Sequence, residues 1–231
     1  SGDFVEAIDG IAADRDAGRA WDWLYYVNGV EATVGAANYE LRGGETVWWD
    51  YRDWSAALRV PAVVGSWPQP FRDGYEDARA PTALECFADK LSCLFVRGRL
   101  AAAGASLVEE PGEGAIRVLV GPWKRLRRDP ALAQIEKGPQ ASGVFAEFVD
   151  TSRGSVLIGL DERGEVARTF GPDAGLVAAT RRAEDPPVWV VTGTSRRGLL
   201  AASKLLDGAT LRSRYAVAVE GRDVTPLPVP R

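Results

Sequence analysis

Two stretches decide the fold: Trp21-Asp22-Trp23-Leu24-Tyr25-Tyr26-Val27-Asn28-Gly29 and Thr46-Val47-Trp48-Trp49-Asp50-Tyr51-Arg52-Asp53-Trp54. Their aromatic and β-branched content reads as strand, and Asn28-Gly29 is the strongest short hairpin signal a chain can carry, because both residues tolerate positive φ. In a strand, neighbouring side chains point to opposite faces. Trp23 and Tyr25 therefore share one face, their alternates Asp22, Leu24 and Tyr26 the other, and the adjacent pair Trp48-Trp49 must split between the two. The first 55 residues hold five of the eight Trp and four of the six Tyr. That is more ring than a small core needs, so some rings are expected to face outward or to face a ligand.

Working outward, residues 4–12 read as a strand or a short helix, residues 14–18 as a polar turn, and Gly43-Gly44 as punctuation before the second aromatic strand. Residues 59–85 hold Pro61, Pro68, Pro70 and Pro81 together with Trp67 and Phe71. This is an ordered connector, since its apolar side chains need a place to pack. Beyond it the pattern alternates. Helix is expected over 91–103, ended at Gly104, over 130–136, closed near Gly138, and over 174–181. Strands are expected over 116–120, 144–149, 155–160 and 166–170, the last two joined by a turn at 161–164. The clearest unit is strand 188–192, an N-cap at Thr194 or Ser195, helix 199–206 and a returning strand 215–219. The expected organisation is α+β or α/β: a small β-module at 1–58, the connector at 59–85, and an α/β sandwich with a mixed sheet at 86–231.

Composition narrows the chemistry. The 231 residues are 46% apolar and 26% charged, as in a folded globular protein, and no apolar run is long enough for a transmembrane helix. Histidine is absent, which excludes Ser-His-Asp and Cys-His catalysis and any His-ligated metal from this chain. Residues 1–55 hold 4 Lys/Arg against 11 Asp/Glu, net −7, while the remainder holds 24 against 21. An acidic aromatic segment does not suit nucleic acid, whose stacking sites lie in positive grooves. Cys86 and Cys93 are spaced for neither a zinc knuckle nor a C-x-x-C pair. A local disulfide in an oxidising compartment is the expected reading, against two buried thiols. The start without Met is expected of a mature or trimmed chain.

The string Gly2-Asp3-Phe4-Val5-Glu6-Ala7-Ile8-Asp9-Gly10-Ile11, then Trp21 to Val30, Gly35-Ala36-Ala37-Asn38-Tyr39-Glu40-Leu41 and Gly44-Glu45-Thr46-Val47-Trp48-Trp49, resembles the C-terminal β-domain of transcobalamin and intrinsic factor. It is also similar to the bacterial domain of unknown function 4430. The resemblance covers about residues 1–55. It implies a β-grasp-like module and, as ligand, cobalamin or another corrinoid. In that family a strand pair and a helix precede the Phe-Val-x-x-Ile segment; here they are missing, which implies a module completed by upstream residues or by a partner chain. The large helical barrel of the eukaryotic carriers is missing as well.

The candidate ligand-binding residues are Trp23, Tyr25, Tyr26, Asn28, Trp48, Trp49, Tyr51 and Trp54, the rings as a stacking platform and Asn28 as a partner for peripheral amides. The alternative for each ring is cross-strand pairing and burial against the second module. Asp50 and Asp53, three apart in a strand, fall on opposite faces and make a poor acid–base pair. Gly193-Thr194-Ser195-Arg196-Arg197-Gly198 opens a helix where anions bind, but matches neither a phosphate loop nor a dinucleotide fingerprint, so an ordinary capped helix is expected. Lys124-Arg125-Leu126-Arg127-Arg128 offers a polyanion site, or a solvated loop, or a salt contact to the acidic first module. Ser142, in the rigid turn 138–143, has no base nearby in sequence.

The resulting expectation is a non-enzymatic, extracytoplasmic ligand-binding protein that needs no cofactor, engages no nucleic acid and has no transmembrane segment. The alternative is a cell-surface assembly protein that docks a partner through its aromatic patch or an open sheet edge.

Overall fold

A computed structural model describes residues 5–14, 20–76, 78–152 and 154–231 of the chain. The first module contains β1 (Ala7–Ile8), β2 (Ile11–Ala12), β3 (Trp21–Val27), β4 (Val30–Glu31) and β5 (Val47–Asp53). Residues 7–12, open between strand and helix in sequence, form a tight hairpin, with Asp9 and Gly10 both at positive φ in its turn. The polar turn expected at 14–18 lies largely outside the described residues. β3 is central in an antiparallel sheet of order β4-β3-β5, with Trp23 opposite Tyr51, Tyr25 opposite Trp49 and Tyr26 opposite Trp48. Asn28 and Gly29 sit at φ 52° and 80° between β3 and β4, the two positive values that a type I′ turn demands. A Cβ on Gly29 would also lie 2.9 Å from the Val63 carbonyl oxygen.

The second module is built on seven strands. They are β6 (Thr82–Cys86), β7 (Leu107–Val108), β8 (Ile116–Pro122), β12 (Ala174–Thr180), β13 (Val188–Gly193), β14 (Ala216–Glu220) and β15 (Asp223–Leu227), in the order β15-β14-β12-β13-β8-β6-β7. The four strands from β13 to β7 run parallel, and the other pairings are antiparallel. Between β8 and β12 the chain makes a separate antiparallel sheet from β9 (Ala146–Thr151), β10 (Gly154–Leu160) and β11 (Val166–Thr169). Five helical segments complete the fold: α1 (Lys90–Ala102), α2 (Trp123–Leu126), α3 (Pro139–Ser142), α4 (Arg196–Ser203) and α5 (Gly208–Leu211), with 3-10 turns at Ala36–Asn38 and Leu132–Lys137.

Both faces of the seven-stranded sheet are covered. Val177, Trp189, Val191 and Val217 project into a core closed by Val96 and Leu100 of α1 and Leu199 and Ala202 of α4. Their neighbours Leu176, Ala178, Val190 and Ala218 project into the opposite core, which holds Trp123, Leu132, Phe145, Phe148 and Leu157. Tyr26 belongs to that second core, and Trp48 packs on it. The first module therefore shares its core with the second. Burial on both faces also explains the one element read wrongly: 174–181 is strand β12, not helix. Every residue of Ala174–Thr180 is buried, so the run has no period of two, and its alanines mimic helix composition.

The sheet begins earlier than expected, because β6 lies inside the stretch read as connector. The rest of that stretch is ordered as expected: Val60, Val63, Val64 and Phe71 are buried, and the Phe71 ring packs on Trp189 with centroids 4.8 Å apart. α1 is capped by the Asp89 carboxylate, which accepts from the Leu91 and Ser92 amides, and ends before Gly104 at φ 86°, as a left-handed C-terminal stop should. Cys86 and Cys93 form a disulfide joining the end of β6 to the first turns of α1. The 130–136 helix is the 3-10 turn, and β7 and β15 went unread.

Candidate functional site

The β3–β5 sheet separates its side chains into two faces of different character. Outward, Trp21, Trp23 and Tyr25 of β3 interleave with Trp49 and Tyr51 of β5. Ring centroids are 5.2 Å apart for Trp21–Tyr51, 5.1 Å for Trp23–Tyr51 and 5.1 Å for Tyr25–Trp49, and Tyr39 meets Tyr25 edge-on at 6.3 Å. These are favourable tilted and T-shaped contacts, and all five strand rings are half-buried. Three of the five polar tips are tied back to surrounding backbone. Trp23 Nε1 donates to the Ile11 carbonyl at 2.8 Å, Tyr25 Oη to Val34 at 2.6 Å and Tyr51 Oη to Ala12 at 3.0 Å. With those three ends fixed, the face offers preset π surface. A cavity of about 180 Å³ opens beside it, between Trp23, Tyr25, Trp49 and the backbone of residues 32–36. Ile11, Val34 and Leu41 are exposed in the same module.

Inward, the same strands carry a buried ionic network. Tyr26 stacks on Trp48 at 5.2 Å, and both rings meet Tyr215 of the second module. Tyr215 Oη donates to Asp50 Oδ2 at 2.5 Å. Arg52 lies 3.3 Å from Asp50 and 3.6 Å from Glu31 and donates to the Ala57 carbonyl at 2.8 Å. Arg59 closes the group through a 2.7 Å pair with Glu31. Burial raises the Asp50 carboxyl, against the Tyr215 hydrogen bond and the Arg52 charge that pull it down. Burial also raises the Tyr26 and Tyr215 phenols well above the usual tyrosine range. Tyr26 Oη has no hydrogen-bond partner among the described residues.

This division splits the eight candidate positions. Tyr26 and Trp48 point inward and hold the modules together. Asn28 is buried, its amide donating to the Gly74 carbonyl at 2.9 Å and its Oδ1 accepting from the Thr46 amide at 2.9 Å. Buried and bonded on both sides, it braces the turn. Trp54 lies just past β5, half-buried, its amide donating to Ala20. Trp23, Tyr25, Trp49 and Tyr51 do come together, and Trp21, outside the candidate set although two residues from Trp23 on the same face, joins them.

The other motifs resolve as local structure. Asp50 and Asp53 are on opposite faces, Asp53 accepting from the Ser55 amide. Ser195 caps α4 by accepting from Gly198 at 3.1 Å and donates to Asp173 at 2.6 Å. Gly198 is dictated by close approach, since a Cβ there would lie 2.0 Å from the Ala174 oxygen of β12. Ser142 Oγ is buried, donating to Gly138 and accepting from Val144. Arg127 of the basic run pairs with Glu136 and Asp150 of its own module. Among the described residues, no three His, Cys, Asp or Glu cluster as metal ligands, and no helix is long and apolar enough to cross a membrane.

Fold and face together define a class: a mixed α+β protein in which a small antiparallel module, fixed to a seven-stranded sheet through a shared core, displays an aromatic surface. Residues 1–53 match the family model described as a domain of unknown function, DUF4430. No curated protein matches the chain.

Proposed function

We propose that the protein is an extracytoplasmic, non-enzymatic binding protein whose outward aromatic face receives a flat ligand, with cobalamin or another corrinoid as the candidate. The observation that carries this reading is the half-buried ladder of Trp21, Trp23, Tyr25, Trp49 and Tyr51, in which the polar tips of Trp23, Tyr25 and Tyr51 are already bonded to backbone. Such a surface binds by stacking and apolar contact and loses little entropy on binding, because the rings are already held. The choice of corrinoid comes from the resemblance of residues 1–55 to the transcobalamin β-domain. The Cys86–Cys93 disulfide supports an oxidising compartment.

Titration of the purified chain with cyanocobalamin, followed by Trp fluorescence and confirmed by equilibrium dialysis, tests the reading. Saturable binding that Trp23→Ala and Trp49→Ala each weaken is the expected result. No retention at about 100 μM ligand, a concentration that detects even weak complexes, removes the corrinoid.

A second reading, a surface assembly protein, is favoured by a different feature. β5 ends the order β4-β3-β5, so its outer edge is unpaired among the described residues, with Ile11, Val34 and Leu41 exposed in the same module. An open edge flanked by apolar side chains accepts a further strand. Light scattering after size exclusion separates the two readings, since a strict monomer at all concentrations counts against assembly through copies of this chain.

A further inference from the structure

A cleft of about 730 Å³ lies away from the aromatic face, in the second module. It opens between β6, β8 and the segment that follows β8. β6 and β8 are parallel neighbours; β6 leads through α1 to β7 at the sheet edge, and β8 through the separate β9–β11 sheet to β12. Its lining runs along the two strands, from Arg117 near the start of β8 to Phe87 just past the end of β6.

The lining is charged in an ordered way. On the floor, Arg117 donates to both Glu85 carboxylate oxygens, at 2.6 and 3.0 Å, and pairs with Asp129 at 2.8 Å. These bonds, that to Glu85 foremost, hold its pKa above the usual arginine value. On the wall, Arg127 is turned away into its own carboxylates, while Lys124, Arg125 and Arg128 line the cavity. Arg125 is propped over the Phe87 ring at 4.1 Å. Lys124 and Arg128 are exposed. Four cations thus face two carboxylates, and both carboxylates are already engaged by the single floor arginine. The mouth is left with uncompensated positive charge.

We propose that this cleft binds a sugar phosphate. Lys124, Arg125 and Arg128 recognise the phosphate through charge-assisted hydrogen bonds, and the remaining lone pairs of the Glu85 carboxylate accept from the sugar hydroxyls, Asp129 Oδ1 being taken by the Ala131 and Leu132 amides. The volume falls in the range of small-molecule sites and far exceeds what inorganic phosphate fills. The basic run after β8 and the Glu85–Arg117 pair on the strands become one site.

Calorimetric titration of the full chain at low salt with glucose 6-phosphate, inorganic phosphate and glucose is the test. Glucose 6-phosphate is expected to bind more tightly than inorganic phosphate, and glucose not to bind at about 10 mM. Lys124→Ala/Arg128→Ala is expected to weaken glucose 6-phosphate roughly tenfold with an unchanged melting temperature, because both side chains lie in solvent. Trp23→Ala is expected to leave this binding intact, which separates the cleft from the aromatic face. Absence of glucose 6-phosphate binding overturns the proposal, as does binding that the double variant leaves unchanged, or binding no tighter than that of inorganic phosphate.

Discussion

The two faces of one β-ribbon, seven residues on each strand, have opposite tasks. Outward, Trp21, Trp23, Tyr25, Trp49 and Tyr51 pack on one another and leave ring surface uncovered. Inward, Tyr26, Trp48, Asp50 and Arg52 are committed to Tyr215, Glu31 and the connector. Five of the seven rings on these two strands face outward and two face inward. The difference lies in what covers them: the inward rings enter a core shared with a seven-stranded sheet, while the outward rings meet only short segments of their own module. A stretch rich in Trp and Tyr is therefore part anchor and part surface, and parity along the strand assigns each ring.

The comparison breaks most readily at Arg52. Arg52→Ala strips the central cation from Asp50 and the buried Glu31, and urea unfolding is expected to show a loss of about 3–5 kcal/mol, the penalty for leaving buried charge unpaired. Tyr215→Phe removes the one hydrogen bond that crosses from the second module to Asp50; about 2 kcal/mol is expected for a bond to a charged acceptor. On the outward face the effect is smaller. Tyr51→Leu, which undoes two ring contacts, is expected to lower stability by about 1 kcal/mol while weakening any ligand of the aromatic face; a loss as large as that at Arg52 would make the outward face a core. Smallest is Tyr26→Phe. Its hydroxyl is buried without a partner, so the change is expected to be neutral within about 0.5 kcal/mol or slightly stabilising.

Proton linkage sharpens the same contrast. Burial holds the Asp50 carboxyl above the ordinary aspartate range, so the folded state favours its protonated form. Its contribution to stability is full below the unfolded-state pKa and is lost as pH rises through the folded-state value. Wild type is therefore expected to gain stability relative to Asp50→Asn as pH falls from neutral through the carboxylate range, as unfolding curves of both proteins across that range would reveal. A difference independent of pH would mean that Asp50 titrates like an exposed carboxylate.

Much of the architecture was legible from local rules. Asn28-Gly29 fixed a hairpin, Ser195 and Gly104 marked helix ends, and the unit from Val188 to Val219 declared itself by its alternation of strand, cap and helix. The misreadings have separate local causes. β12 is buried on both sides, so Ala174–Thr180 loses the alternation that distinguishes a strand. β6 hid at the end of a proline-rich connector, and β15 carries Pro226 within a short edge strand. The site was legible to a similar depth: parity already separated Trp23 and Tyr25 from Tyr26. Which side faced the core depended on Tyr215, 165 residues from Asp50, and no local pattern reports that distance.

The sequence by itself determined the strands of the first module, the hairpin between them, the excess of rings over what a small core absorbs, and the alternation that splits those rings into two sets. These follow from φ preferences and from the period of two. Tertiary structure alone decided which set is buried, made Asn28 a brace instead of a ligand contact, and brought Glu85, Arg117 and the basic run around one crevice. Those outcomes depend on contacts between segments far apart in the chain, where burial and charge pairing, not local conformation, select the arrangement.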